Sequence, residues 1–311
     1  MHSVWYRRPV DSGSTLLVIG GGFSGRDIAT DMASLPSTSA VYYSVKEPPL
    51  DPPRNGKIQY RSRVVEFFPI CKNGKGRVRY DDGTEDEIDS CILATGYKMA
   101  LPFLSDSVVQ TSLPPTPIPP ILKDKLYNST YHVFPLLKFL FPATDKYPPT
   151  SLAFPGLLKR VSPFPLVEAQ SHAMVKLWAS PELLDVDSEI DALVSRYERL
   201  KEEFEGDELE VAKRFLEFAP PEQYQYRDAL YTLAYGDDEE TLKKYLTPDW
   251  HEEMYLNLLL LRAEWEEMER TGEGRDFVKG VGEGGRDEWK GLMYKLLERA
   301  LENRGMSGTD R

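Results

Sequence analysis

Two periodicities divide the chain. Residues 15–97 alternate short aliphatic and β-branched runs with turn signals, whereas from about residue 166 onward apolar positions recur every three or four residues among charges. In the first zone, Thr15-Leu16-Leu17-Val18-Ile19 is an unbroken apolar run, suited to a strand buried on both faces. Residues 26–33 predict a helix, 40–45 a second strand, 58–66 a third and 76–80 a fourth. Asp81-Asp82-Gly83-Thr84 is a turn signal, and Glu87-Ile88-Asp89 leads into a last run, Cys91-Ile92-Leu93-Ala94-Thr95-Gly96-Tyr97.

Prolines crowd residues 101–165 (Pro114, Pro115, Pro117, Pro119 and Pro120, then Pro142, Pro148, Pro149, Pro155, Pro163 and Pro165), which argues against long regular helices there. Beyond them, Ile190, Leu193, Tyr197, Leu200 and Phe204 step by three and four and predict one apolar helical face. The acidic residues between Glu182 and Glu210 take the remaining positions, as on a solvated face. A second helix is predicted to include residues 255–269, with Leu256, Leu259, Leu260 and Met268 inward. Residues 272–285 predict a flexible glycine-rich loop, and 288–302 a last amphipathic helix. The fold class expected is α/β: residues 1–97 a Rossmann-like domain, 98–180 a proline-rich segment and 181–311 an acidic helical region.

Composition narrows the function classes. With 311 residues the chain can bury a sizeable core without disulfides. Fifty Asp and Glu against 38 Lys and Arg give a net charge of -12, which repels a nucleic-acid backbone. Cys71 and Cys91 lie apart and form no metal-ligand spacing, as in a reducing compartment. His132 and His172 have no spaced partner for zinc, and Lys72, Lys75, Arg77 and Arg79 read as solvated hairpin charges. The apolar stretches are shorter than the roughly 20 residues of a membrane helix, and no secretory signal opens the chain. The expectation is a cytoplasmic protein with no nucleic-acid or membrane partner.

The chemistry concentrates after the first strand. Gly20-Gly21-Gly22-Phe23-Ser24-Gly25 fits G-x-G-x-x-G, with Gly20, Gly22 and Gly25 at the defining positions. The three serve a tight turn, backbone approach to a pyrophosphate, and close helix–strand packing; the helix N-terminus that follows favours an anion. A turn that is merely structural is the competing reading. At the end of the second strand, where an acid would hold the ribose of NAD, the chain offers Ser44 and Lys46, which suit a 2′-phosphate and point to NADPH; Glu47 lies beside them. Tyr42 and Lys46 have the Y-x-x-x-K spacing of some reductases, but on a strand the match is chance. Gly96 permits either close approach of a backbone or cofactor, or a plain strand-ending turn.

Together these residues resemble the flavin-containing monooxygenases, especially fungal members. The resemblance rests on Gly20-Gly21-Gly22-Phe23-Ser24-Gly25-Arg26-Asp27-Ile28-Ala29, on the Asp82-Gly83-Thr84 to Asp89 run and on the Cys91 to Tyr97 stretch. Leu152 to Gly156 and Pro163 to Gln170 also look like the family's returning flavin-domain segment. His2 and Tyr6 match the end of the family's F-x-G-x-x-x-H-x-x-x-Y/W fingerprint, in the form associated with N- or S-oxygenation. Phe23 departs from the usual small or polar residue.

The resemblance implies Gly20, Gly22, Ser24 and Gly25 at the NADP pyrophosphate, Ser44 and Lys46 at the 2′-phosphate, and Thr95, Gly96 and Tyr97 near the flavin and nicotinamide. It implies NADPH and FAD as cofactors and oxygenation of a soft N or S nucleophile through a hydroperoxyflavin, with oxygen and a small substrate as partners. Because the chain opens inside the fingerprint, the expectation is a truncated or split enzyme lacking the N-terminal FAD-binding half, binding NADPH and holding no stoichiometric FAD. The alternative is a non-catalytic NADP-binding or interaction fragment. A flavin-free NADPH reductase would need a proton donor that the sequence does not reveal.

Overall fold

The computed structural model describes residues 1–47, 56–115 and 125–305, and these form two compact units, residues 1–97 and 98–311. Pro117, Pro119 and Pro120 lie outside the described residues.

The first unit is built on β1 (Thr15–Ile19), α1 (Phe23–Ser34), β2 (Ala40–Ser44) and β3 (Ile58–Arg61). It continues through β4 (Val64–Phe67), β5 (Gly76–Tyr80) and β6 (Glu85–Ile88) to β7 (Ser90–Leu93). A parallel sheet has the order β3-β2-β1-β7, and β4-β5-β6 form an antiparallel meander. The apolar run of β1 is explained by its central place. Leu16 and Val18 pack with Ile28, Ala29 and Met32 of α1, while Leu17 packs with Val78, Tyr80 and Ile88 of the meander. Both faces are therefore covered, which suits a continuous aliphatic strand better than an alternating one.

The single strand expected over residues 58–66 is two strands in two sheets. The chain leaves the parallel sheet at Ser62, whose carbonyl accepts the Ser44 hydroxyl at 2.8 Å, and Arg63 accepts the Asp81 amide instead. Backbone partners, not side-chain periodicity, decide that break. The hairpin cations are paired: Lys75 with Asp89, Arg77 with Glu85, and Arg79 with both Glu66 and Glu85.

The second unit opens with short pieces, as its prolines require: β8 (Val109–Gln110), β9 (Leu126–Asn128) and β10 (Val133–Phe134) in one sheet, then the ribbon β11 (Leu136–Leu137) with β12 (Phe141–Pro142). Helices follow: α2 (Pro163–Ala179), α3 (Val186–Glu203), α4 (Glu208–Arg214), α5 (Pro220–Tyr235) and α6 (Glu239–Tyr245). The last four are α7 (Asp249–Leu256), α8 (Leu258–Thr271), α9 (Gly274–Phe277) and α10 (Arg286–Asn303). Asp185 and Asp207 cap α3 and α4, each accepting from a first-turn amide.

The α3 face lies where its spacing puts it. Leu193, Tyr197 and Leu200 are buried, and Ile190 and Phe204 pack partly buried against the same cluster. That cluster joins Phe134, Leu137 and Phe141 with Leu166 and Ala173 of α2 and with Phe215, so segments before and after residue 180 share one core. The acidic face is not wholly solvated: Arg196 is buried among Phe139, Phe215 and Phe218 and pairs with Glu222.

Two helical expectations need correction. Residues 255–269 are divided at Asn257, whose side-chain amide donates to the Glu253 carbonyl at 2.9 Å. Met268 is buried and Leu260 partly buried as expected, but Leu256 and Leu259 are 64% and 46% exposed, and Met254 and Leu261 are buried in their place. Residues 272–285 hold the short α9 rather than a continuous loop, with Gly272 in the left-handed conformation closing α8. Among the described residues, no helix is long and apolar enough to cross a membrane.

Two predictions follow from the core of this unit. Phe215→Ala should lower the unfolding free energy by about 3–5 kcal/mol, whereas Phe164→Ala, at an 88% exposed position, should change it by less than about 0.5 kcal/mol in urea titrations. His132 is fully buried, and burial, with the charge of Lys159 second, pulls its pKa from 6.5 down to about 3. The fold resists a proton that the unfolded chain accepts, so its contribution is whole above pH 6.5 and is lost as the pH falls toward 3. Across pH 7 to 5, His132→Gln should lose less stability than the native chain.

Candidate functional site

The carboxyl ends of β1, β2 and β7 meet at the glycine turn, and β1 is the strand on whose two sides the chain order reverses. In open parallel sheets this switch point is where ligands enter. The Gly20 amide donates to the Ser44 carbonyl at 3.0 Å, and the Ala94 amide donates to the Ile19 carbonyl at 2.7 Å. Gly20 is thereby pinched between two strand ends. Its φ is +122°, and a Cβ there would lie 2.2 Å from the Ala94 carbonyl oxygen. A Cβ on Gly25 would lie 1.9 Å from the Gly20 carbonyl oxygen. Gly22 differs: a Cβ there meets nothing within 4 Å, and the residue is exposed.

The turn thus has two glycines that the fold itself requires and one that opens onto unfilled space. Ser24 is exposed on the first turn of α1, which carries neither a side-chain cap at Gly22 nor an acidic residue. The positive end of the helix dipole is left for an anion. A dinucleotide pyrophosphate fits this cradle, because backbone can approach closely only where no Cβ intervenes.

The two residues expected at a 2′-phosphate are placed differently. Lys46 is exposed just beyond β2, with Glu47 exposed beside it. Ser44 is buried, and its hydroxyl is engaged with Ser62. Tyr42 lies under the Arg61 guanidinium, 4.5 Å from ring centroid to carbon, within a strand and not one helical turn from Lys46.

Thr95, Gly96 and Tyr97 follow β7 and are exposed. Gly96 has φ +87°, a turn conformation that favours glycine, and no protein atom among the described residues lies within 4 Å of a Cβ built there. Tyr97 lies 5.6 Å from the His2 ring. The opening residues run along β7: the Leu93 amide donates to the Met1 carbonyl at 2.8 Å, and His2 forms a parallel bridge with Leu93. The Tyr6 hydroxyl donates to Asp31 of α1 at 3.1 Å; burial first, then the Asp31 charge, raises its pKa. His2 and Tyr6 therefore brace the two sides of the turn's supporting layer, β7 and α1.

Sequence reasoning missed Asp31, Tyr43 and Asp89. Tyr43 is buried with its hydroxyl beneath Gly25, 3.3 Å from a Cβ built there, and burial pushes its pKa up to about 12. Asp89 accepts both the Ser14 and Thr15 amides at 2.9 Å, anchoring the start of β1, and these bonds hold its carboxyl below the usual range. A lone Asp or Tyr carries no local signal for such partners, which lie far along the chain.

Elsewhere, the two cysteines are free thiols, and burial pushes Cys91 up to about 11. His132 is bonded through Nδ1 to Ser129 Oγ, and His172 to the Tyr235 hydroxyl. No cluster of metal-ligating side chains occurs among the described residues.

No family model matches the chain. Individual relatives do. Flavin-containing monooxygenase 5 of Cavia porcellus is 27% identical over 204 residues, covering 62% of this chain and 32% of the relative. The thiol-specific monooxygenase of Saccharomyces cerevisiae is 30% identical over 167 residues, covering 52% of this chain and 34% of the relative. The solved structure of S-allyl-L-cysteine S-oxygenase from Allium sativum aligns with a TM-score of 0.59 at 21% identity, covering 97% of this chain and 58% of that one. The chain spans about a third of the length of the curated relatives it matches. The resemblance to flavin-containing monooxygenases is borne out, as is the α/β fold with a helical C-terminal part.

The glycines separate fold from ligand. Gly25→Ala should lower the thermal midpoint by several degrees, on the order of 1–3 kcal/mol of overpacking strain. Gly22→Ala should leave the midpoint nearly unchanged while weakening nucleotide binding. Equal midpoints for the two variants would count against this division.

Proposed function

We propose that this chain, similar to the flavin-containing monooxygenases, supplies the NADPH-recognising part of a flavin-dependent monooxygenase that oxygenates a soft nitrogen or sulfur nucleophile. The observation that carries the reading is the open face of Gly22 at the switch point of a parallel sheet, between a pinched turn and an uncapped helix N-terminus.

In this reading Gly22 and Ser24 line the pyrophosphate, with Gly20 and Gly25 fixing the turn that presents them. Lys46, exposed at the end of β2, is the cation for the 2′-phosphate. Ser44 contributes indirectly, because its bond to Ser62 holds the strand end that carries Lys46. Thr95, Gly96 and Tyr97 border the nicotinamide and flavin side, with His2 against Tyr97. Tyr6 positions α1 through Asp31. The flavin, when bound, supplies the redox chemistry with oxygen; residues of this chain bind and orient the reductant. A flavin-binding segment in cis or in trans and a small nucleophilic substrate complete the site. A sulfur substrate is supported by relatives described as a thiol-specific monooxygenase and an S-oxygenase.

Titration by nucleotide fluorescence tests the cofactor assignment. The native chain should bind NADPH more tightly than NADH, and Lys46→Ala should weaken NADPH about 10-fold while leaving NADH unaffected, as expected for one charge-assisted phosphate contact. Equal affinities for the two nucleotides in the native chain would sink it. NADPH-dependent sulfoxide formation from a simple thioether, assayed with a flavin-binding segment and FAD both supplied, tests the oxygenase assignment; no sulfoxide from the complete mixture would sink it.

A further inference from the structure

The helical unit holds a cavity that the nucleotide reading does not use. It is an open cleft between α3, α4 and the start of α5, with a volume of about 710 Å³, within the roughly 300–1,000 Å³ of small-molecule sites. Arg160, Arg196, Arg199 and Arg214 line it, against Glu203, Glu217 and Glu222. The wall carries one positive charge in excess, in a chain whose net charge is -12.

The four arginines are not equivalent. Arg196 is buried and fully engaged: Nε donates to the Phe215 carbonyl at 2.9 Å, Nη2 to the Glu217 carbonyl at 2.7 Å, and Nη1 to the Glu222 carboxylate. Arg214 Nη1 and Arg160 Nε share one oxygen of Glu217, at 2.8 and 3.4 Å. Two guanidinium groups thus divide a single carboxylate. Arg199 is exposed on α3, with no carboxylate in ion-pair reach among the described residues. Burial chiefly, and the nearby charge of Arg199 as well, disfavours the protonated form of Arg196, while Glu222 supports it. An anion in the cavity would relieve that repulsion.

The rim is also held in a costly conformation. Arg160 has φ +56°, a region L side chains seldom adopt. It is fixed from both sides: the Tyr255 hydroxyl donates to its carbonyl at 2.6 Å, and the preceding Lys159 amide donates to Leu216 at 2.7 Å. Phe204, Phe218 and Tyr255 supply aromatic wall.

We propose that this cavity binds a small organic anion, a carboxylate or phosphate group on a flat apolar body. Arg199 and Arg160 meet the anionic group, and the aromatic wall meets the body.

Calorimetric titration of the full chain with phenyl phosphate tests this, with benzyl alcohol as the neutral control and saturating NADP present to occupy the nucleotide turn. Saturable binding of phenyl phosphate is expected, with at least a 5-fold loss in Arg199→Ala and in Arg160→Ala, and no comparable binding of benzyl alcohol. Circular dichroism checks that both variants, substituted at exposed positions, remain folded. Absence of saturable binding, or equal affinity in the native chain and both variants, would overturn the proposal. NADP binding is read separately, so failure here is distinct from failure of the nucleotide assignment.

Discussion

Everything in the first unit depends on how closely two backbones approach at the end of β1. Gly20 lies against the Ala94 carbonyl, and Gly25 against the Gly20 carbonyl, at separations that admit no Cβ. These contacts bring the central strand, its neighbour β7 and the start of α1 to one point. The turn's backbone is therefore set by strand and helix packing. Asp89 secures the opposite end of β1, and Tyr6 and Tyr43 support α1 and the turn.

The second unit is organised by aromatic packing. Phe215 meets Phe134 edge-on with ring centroids 5.3 Å apart and also touches Phe139, Tyr197 and His132. Arg196 lies among these rings and binds the carbonyls that follow α4. A buried guanidinium is tolerable here because its donors are met by oxygen and its flat faces by rings. The same residue joins the core to the wall of the arginine cavity, so packing and cavity shape have a common support.

Legibility in the sequence followed the locality of the cause. β1, β5 and the acid-capped α3 were readable because an aliphatic run, a turn at Asp82-Gly83 and a three–four spacing are all local signals. The glycine turn was readable for the same reason. What escaped were choices made by distant partners. Ser62 ends β3 because Ser44 and the meander claim its surroundings, and no residue type at that position announces it. Asn257 is only a moderately poor helix former, yet it divides two helices. Ser44 had the right chemistry for a phosphate, but its hydroxyl is spent inside the sheet. Arg196 stood in an acidic, outwardly solvated stretch, with no local sign of the rings that bury it.

The bridge between His2 and Leu93 bears on the edge of the sheet. A parallel sheet ordered β3-β2-β1-β7 has two flanks, and an uncovered flank offers amide and carbonyl groups to any extended chain that passes. The opening residues occupy one of them: the Met1 ammonium group donates to the Cys91 carbonyl at 2.7 Å, and Leu93 donates back to Met1. The backbone groups of Cys91 and Leu93 on that flank are thereby paired within the chain instead of standing open.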